Sequence, residues 1–403
     1  MPTRAQVCAW IAGFGLVVPS LAIAQDRTER EIVDLIVRDG PQAMAIRAET
    51  EVTRREQLAR LAYPNPGVMY SRESAGFTEF FQVEQLLPVF GIRGALSRAG
   101  VAATAIAEAE RDARLWLIRS DAVRAAARMA AEQARLEAAQ SHIRDVERLI
   151  DILRTREREG EGSRFDRLRA EQELREARQV ATSSEVGILE AKAVLSALLP
   201  RNITVTRVVG GAQERVAAAA VDALTARAAS TRAELRALQG AAERAALESD
   251  VAKRARLPAP TVFGGLKRAD VDFGRARGGI FGVSVSVPLF DSGGRDSARW
   301  AAERARADAA RASMELQIRA EIVRAHETLA LRQVALAEEQ DAAGEELKSI
   351  AEVAYREGEV GILELLDAVR TAARARARSI DLRLEARLAQ VALERAVGEI
   401  LWP

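Results

Sequence analysis

Mainly α structure with a small β part, built as two copies of one unit, is the fold class this sequence predicts, and three observations predict it. The stretch GIFGVSVSVPLFDSGGRDSARW (279–300) opens as a strict alternation: Phe281, Val283, Val285, Val287 and Leu289 share one face, while Gly282, Ser284 and Ser286 share the other. That is the period of a two-faced strand. Pro288 cannot donate a ladder hydrogen bond, so the strand ends there, and the DSGG turn feeds a long Ala/Arg/Glu segment with the composition of a helix. The same strand-to-rod passage occurs earlier as FFQVEQLLPVFGIRGALSRAG, with Pro88 and Phe90 standing where Pro288 and Phe290 stand. A second pair of segments repeats as well, REGEG at 158–162 against REGEV at 356–360. A duplication of this kind sets the architecture before any single element does.

The 403 residues are 48% hydrophobic and 29% charged but 4% aromatic, so large core-filling side chains are scarce. Abundant Ala with regularly spaced Leu and Val suits close helix-to-helix contact over long distances better than a compact core. Acidic and basic residues nearly cancel, at a net charge of +1, which lacks the one-sided basic field that nucleic acid requires. Residues 1–24 read as a secretory signal, with Arg4 ahead of an apolar run from Val7 to Val18 and Ala22-Ile23-Ala24 as a small-residue cleavage site; the other reading is an uncleaved anchor. Cleavage after Ala24 makes Gln25 the first residue and removes Cys8, the sole cysteine, so that no disulfide or lipid-modified cysteine is expected. No other stretch offers about eighteen consecutive apolar residues, which excludes a helical membrane protein and leaves a barrel as the way into a bilayer.

A helical lead-in (25–63) begins at Asp26, carries its apolar stripe on Ile32, Leu35, Ile36 and Ala43 to Ile46, and is broken at Gly40-Pro41. Pro64 and Pro66 stop it. The first repeat (64–200) then opens with a β-hairpin, 67–88, turning near Ser74-Ala75-Gly76 and returning with Phe77, Phe81, Val83 and Leu87 on one face and Thr78, Gln82 and Glu84 on the other. From 93 to 199 runs a long helical hairpin, free of Pro, whose first rod carries Ile143, Val146, Leu149, Ile150 and Leu153 at coiled-coil spacing. It reverses at Gly160-Glu161-Gly162-Ser163 and stops before Pro200. Residues 201–218 form a short non-helical linker. The second repeat (219–403) repeats the plan with a helix at 219–257, a β-hairpin at 260–289 whose loop is RADVDFGRARGG (268–279), and a helical hairpin at 293–400 turning at Gly358-Glu359-Val360-Gly361. Four two-faced strands cannot close on themselves, since small barrels need about eight, so several chains must share one barrel.

These motifs resemble the TolC family of outer-membrane efflux channels, and more narrowly its cobalt-zinc-cadmium branch. VEQLLPVFGIR (83–93), VSVPLFDSGGR (285–295) and YREGEVGILELLDAVRTA (355–372) carry the likeness, which covers essentially the whole mature chain. Ile92 and Leu363 depart from the pattern, standing where relatives carry a basic residue and an Arg used in closing the pore. The resemblance implies a homotrimer: a twelve-stranded β-barrel in the outer membrane of a Gram-negative bacterium, continued by an α-helical barrel across the periplasm. It implies no enzyme, but a passive duct docked to a periplasmic adaptor and an inner-membrane RND-type pump, with heavy-metal resistance or small-solute efflux as its output. It also puts the two Gly turns against the adaptor and makes Asp166, Glu364 and Asp367 an acidic constriction. The Phe81, Val83, Phe281, Val283, Val285 and Val287 face would then touch outer-membrane lipid, with the Ser/Gly/Gln/Glu face lining a wet lumen. The resting pore would be held by apolar packing of Ile362, Leu363 and Leu366. The acids read equally as a solvated helix face, and a protein-secretion duct or a periplasmic coiled-coil scaffold uses similar rods. No cofactor, metal site or catalytic set is expected: His142 and His326 stand apart as helix-surface residues, and DSGGRDS lacks the ending of a phosphate loop.

Overall fold

The computed structural model describes residues 23–73, 78–210, 217–271, 274–287, 294–339 and 341–402. The body of the signal segment, the first hairpin's turn at 74–77 and the Pro288–Gly293 junction lie outside them. A strand, β1 (Ile23–Thr28), comes first and pairs in parallel with β4 (Ile203–Val209), which occupies the linker. The lead-in helix therefore starts three residues later than the sequence suggested, at Glu29. Thr28 fixes that start through a capping box, its hydroxyl accepting the Glu31 N–H while the Glu31 carboxylate takes the Thr28 N–H. Helices α1 (Glu29–Asp39) and α2 (Pro41–Arg60) follow, parted at Gly40-Pro41.

Next come β2 (Gly67–Glu73) and β3 (Thr78–Leu86), then α3 (Ile92–Glu159), an unbroken 68-residue helix about 100 Å long at 1.5 Å per residue. Its return partner is α4 (Arg164–Leu198). The helix expected at 219–257 is instead two, α5 (Val221–Thr231) and α6 (Ala233–Ala255), broken at Arg232. The break has a physical cause: Arg232, buried and extended, sends Nη1 to the carbonyls of Arg395 (3.2 Å) and Ala396 (2.9 Å), and Thr231 Oγ1 donates to the Val397 carbonyl at 2.6 Å. These are orphan carbonyls at the end of the last helix, α9 (Ile362–Val397), so α9 ends against the start of α6 with its terminus satisfied. The long rod of the second repeat is divided too, into α7 (Gly294–Glu338) and α8 (Asp341–Glu357). Just inside α8, Gly344 lies where an added Cβ would stand 3.3 Å from the Ala372 Cα of α9, a close approach of the two helices.

Between these rods lie β5 (Ala259–Val271) and β6 (Gly274–Ser286), 13 residues each. The loop expected over 268–279 is thus mostly strand, because Arg268↔Arg277, Ala269↔Ala276 and Asp270↔Arg275 continue the ladder to Val271↔Gly274. The four strands form one antiparallel sheet in the order β2-β3-β5-β6. Register carries the same-face rows across both repeats: Val68, Val83, Gly264 and Phe281 align, as do Tyr70, Phe81 and Leu266. This face is apolar and open, with Phe281 89%, Val283 63% and Phe81 49% exposed. Val287 lies just past the last residue of β6. On the opposite face run Gln82, Glu84, Lys267, Thr261 and Ser284, though Phe263 is there as well, lying across Gly282, where a Cβ would meet its ring at 2.5 Å.

Candidate functional site at the helical hairpin tips

The two reversals are the points where a duplicated sequence becomes duplicated geometry. At the first, α3 ends on Gly160, whose left-handed backbone (φ +82°) lets its N–H meet the carbonyls of Arg156 and Glu157, and the N–H of Glu161 reaches the Arg156 carbonyl at 2.9 Å. Gly162 has no room for a Cβ, which would stand 2.9 Å from the Glu157 backbone nitrogen. Ser163 then opens α4, its Oγ accepting the Phe165 N–H at 3.1 Å. At the second, Gly358 takes φ +79° and the Glu359 N–H reaches the Ala354 carbonyl at 2.9 Å, the same five-residue closure. Gly160 and Gly358 are the matched pair. Gly361 does not need glycine's freedom: it is extended (φ −84°, ψ 174°), and a Cβ there would meet the movable end of the Glu364 side chain.

A single apolar cluster ties the tips together. Val146, Leu149, Ile150 and Leu153 of α3 pack with Tyr355 of α8 and with Ile362, Leu365, Leu366 and Val369 of α9, and Val360 of the turn leans on them. Ile362 and Leu366 are 6% and 4% exposed, so they are spent inside the chain's own core and are not pore-closing residues; Leu363, at 46%, is the member of that trio that faces outward. In the first turns of α4, Phe165 (63% exposed) and Leu168 (46%) add further apolar surface, which the sequence reading passed over. A Phe two residues after a helix cap, off the seam spacing, was the available signal.

Asp166 lies half-buried in the first turn of α4, and Glu364 lies exposed in the first turn of α9, both next to helix N-termini that favour negative charge. Asp367 is one turn further along α9 and exposed. On α4, Arg167 clamps Glu157 (2.7 Å) and Glu171 (2.8 Å), and the Glu171 carboxyl is held below its ordinary range by that hydrogen bond. Glu364 and Asp367 are drawn into no ion pair among the described residues.

About two turns deeper into the bundle, His142 of α3 meets Glu173 of α4 at 3.2 Å, and Arg370 of α9 donates from Nε to the other Glu173 oxygen at 3.0 Å. His142 is therefore no free surface residue: its side chain is 12% exposed and that of Glu173 is 5%. The hydrogen bond from His142, then the Arg370 guanidinium, overcome burial and hold the Glu173 carboxyl down at about 2. The cluster pins three helices together. It offers no metal site, and among the described residues no group of three or more His, Cys, Asp or Glu is arranged to hold an ion. No helix among them is long and apolar enough to cross a membrane.

Comparison with known proteins settles what kind of scaffold this is. Residues 215–399 match the family described as outer membrane efflux protein. The fold is that of the outer-membrane efflux channels. Similar solved structures include CusC, studied for folding and transmembrane channel formation, at 14% identity, TM-score 0.71 and 92% coverage of each chain. A membrane protein from Pseudomonas aeruginosa is 19% identical, with TM-score 0.72 over 92% of this chain and 90% of that one. The MtrE outer membrane channel of Neisseria gonorrhoeae, solved in an open state, is 15% identical, with TM-score 0.71 over 95% and 92%. No curated protein matches the sequence. The TolC-like architecture expected from the two junction motifs is thus present.

Proposed function

We propose that three copies of this chain form an outer-membrane duct that exports metal ions or small toxic solutes, delivered by an inner-membrane RND-type pump through a periplasmic adaptor. The observation that carries this reading is the open sheet. Strands β2 and β6 are edges without partners among the described residues, and they run in opposite directions because the order β2-β3-β5-β6 is antiparallel throughout. The β6 edge of one copy can therefore pair with the β2 edge of the next, and repetition closes a ring of even strand number, as a barrel in lipid requires. Three copies give twelve strands. The Phe81, Val83, Phe281, Val283 and Val285 face turns to lipid and the Gln82, Glu84, Lys267 and Ser284 face to water. At the far end, the turns at Gly160–Ser163 and Gly358–Gly361 face the adaptor, while Asp166, Glu364 and Asp367 ring the mouth. Kinship with the cobalt-zinc-cadmium branch rests on the two junction motifs, and metal cargo follows from that kinship.

The test is assembly. Protein extracted from outer membranes in mild detergent should run as a trimer that heat converts to a slower or faster monomer band, and should insert single channels into planar bilayers. A monomer that partitions with periplasmic contents would overturn the duct and favour a coiled-coil scaffold.

A further inference from the structure

A cavity of about 690 Å³ lies where α9 ends against α6. Its lining comes from α3, α6, α7, α9 and the linking Arg232, with nothing from α1, β1, β4 or α5. On α3, Trp116, Ser120, Arg124 and Arg128 recur every four residues and form the cavity stripe. Ile118, Ala122, Val123 and Ala126 form a different stripe, buried with α1 and β4. The cavity thus opens on the side of α3 that α1 and β4 leave bare.

Its charge is one-sided. Five arginines line it, Arg124, Arg128, Arg232, Arg324 and Arg395, against two glutamates, Glu234 and Glu321. Both glutamates are already held by Arg232, at 3.1 and 3.3 Å. Arg124 is paired with Asp121. Among the described residues no carboxylate stands within ion-pair distance of Arg128, Arg324 or Arg395. The negative end of α9 does not compensate them either, because Arg232 and Thr231 already occupy its last carbonyls. Three uncompensated guanidinium groups from three helices therefore border one cavity, and the Trp116 indole N–H holds the Arg395 backbone carbonyl at 3.4 Å.

We infer that this cavity is a binding site for multivalent oxyanions, solutes carrying two or more phosphate or carboxylate groups. Guanidinium forks match such groups bidentately, and a half-enclosed site strengthens the attraction beyond what free surface charge gives. If three chains form the proposed duct, with the bare side of the helical layer inward, the site recurs as a basic belt at mid-height; that placement rests on the duct reading, but binding by the chain does not.

Inorganic pyrophosphate is the probe, titrated calorimetrically into the purified full-length protein in detergent at low salt, with Trp116 fluorescence as a second readout. The Arg128→Gln/Arg324→Gln/Arg395→Gln variant should lose at least tenfold in affinity, and the Lys versions of the same positions should recover part of it. The control is Arg306→Gln/Arg311→Gln/Arg319→Gln, which removes equal charge from exposed arginines of α7 that already have carboxylate partners. It should bind within twofold of the parent. No binding by the parent, or equal loss in both variants, overturns the inference. Channel conductance is scored separately, so a chain that binds pyrophosphate but does not conduct counts against the duct alone.

Discussion

Placing arginine on the two faces of β6 is the sharpest test of how the sheet meets its surroundings. The open apolar face along this strand runs from Gly279 through Phe281, Val283 and Val285 to Val287, which spans about 27 Å at about 3.4 Å per residue and, at a barrel tilt of about 40°, roughly 20 Å of height. Val283 is the midpoint of that band and is paired with Val262, another exposed apolar residue. In the proposed barrel Val283→Arg would put a charge near the bilayer midplane, at a cost of about 2 to 4 kcal/mol per chain, or roughly three times that in a trimer. Ser284→Arg changes the adjacent residue, which pairs with Thr261 on the polar face and projects into water. The assay is the fraction of heat-modifiable trimer recovered from outer membranes at matched expression, with urea-dependent refolding into vesicles giving the energy. Val283→Arg should nearly abolish insertion, and Ser284→Arg should leave most of it. Equal recovery of the two variants would refute the face assignment, and with it the argument for closure in lipid.

Three further outcomes follow from the helical part. Glu173→Gln should lower thermal stability at pH 7 by about 3 kcal/mol, the value of a carboxyl moved from an ordinary glutamate range to about 2. Because the folded value is the depressed one, that contribution is complete only above the ordinary glutamate range of about 4.5 and is lost as pH falls through about 2, so the gap between parent and variant melting curves should shrink to about half by pH 3 and close near pH 2; a gap undiminished at pH 2 would contradict the ion-pair account. Gly160→Trp with Gly358→Trp should abolish export with the amount of trimer unchanged, since both positions have φ near +80° with nothing near a Cβ, so the damage stays local to the tips; normal export would remove the tips from docking. Glu364→Ala with Asp367→Ala should cut cation preference and block by multivalent cations in bilayer recordings, because exposed, unpaired carboxylates repeated around a mouth attract cations; unchanged selectivity would leave them a solvated helix face.

How far these features could be read in advance depended on whether neighbours in sequence were enough to specify them. The long rods and both reversals were legible because Pro and Gly punctuate them, and the strands because alternation has no other cause. What escaped needed a partner distant in the chain. The break at Arg232 exists because that side chain satisfies carbonyls of residues 395 and 396, more than 160 positions away. The strand at Ile23–Thr28 exists because of Ile203–Val209; by sequence alone Ile23 and Ala24 read as the end of a signal and Gln25 to Thr28 as the approach to a helix. Among the site residues, the repeat of REGE marked the tips but not which of their glycines takes a positive φ, Gly160 and Gly358 and not Gly361, since a sequence carries no φ. Likewise Ile362, Leu363 and Leu366 looked equivalent by composition; which of them faces inward depends on the packing of α3 and α8 around α9.

The charges along the helical part sort by position, and this bears on what the duct would pass. At the start of α9 Glu364 and Asp367 are unpaired acids, while Arg164 and Arg169 at the start of α4 likewise have no carboxylate partner among the described residues. Toward the other end of α9 the unpaired groups are basic, Arg395 with Arg128 and Arg324 across the cavity. Most of the intervening charge is spent in pairs, such as Arg135 with Asp381 and Arg376 with Glu345, which cancel at a distance beyond a few ångströms. In the proposed duct the acids of the α9 start and the arginines of the cavity would therefore stand at different heights. In a tube, an acidic mouth followed by a basic belt discriminates less by net charge than either zone alone, because each repels what the other attracts. A metal cation would enter readily and be released at the belt, whereas a multivalent anion would meet its barrier at the mouth and its binding site beyond it. Neutralising the belt should therefore slow multivalent anions and raise cation conductance, and neutralising the mouth should do the reverse.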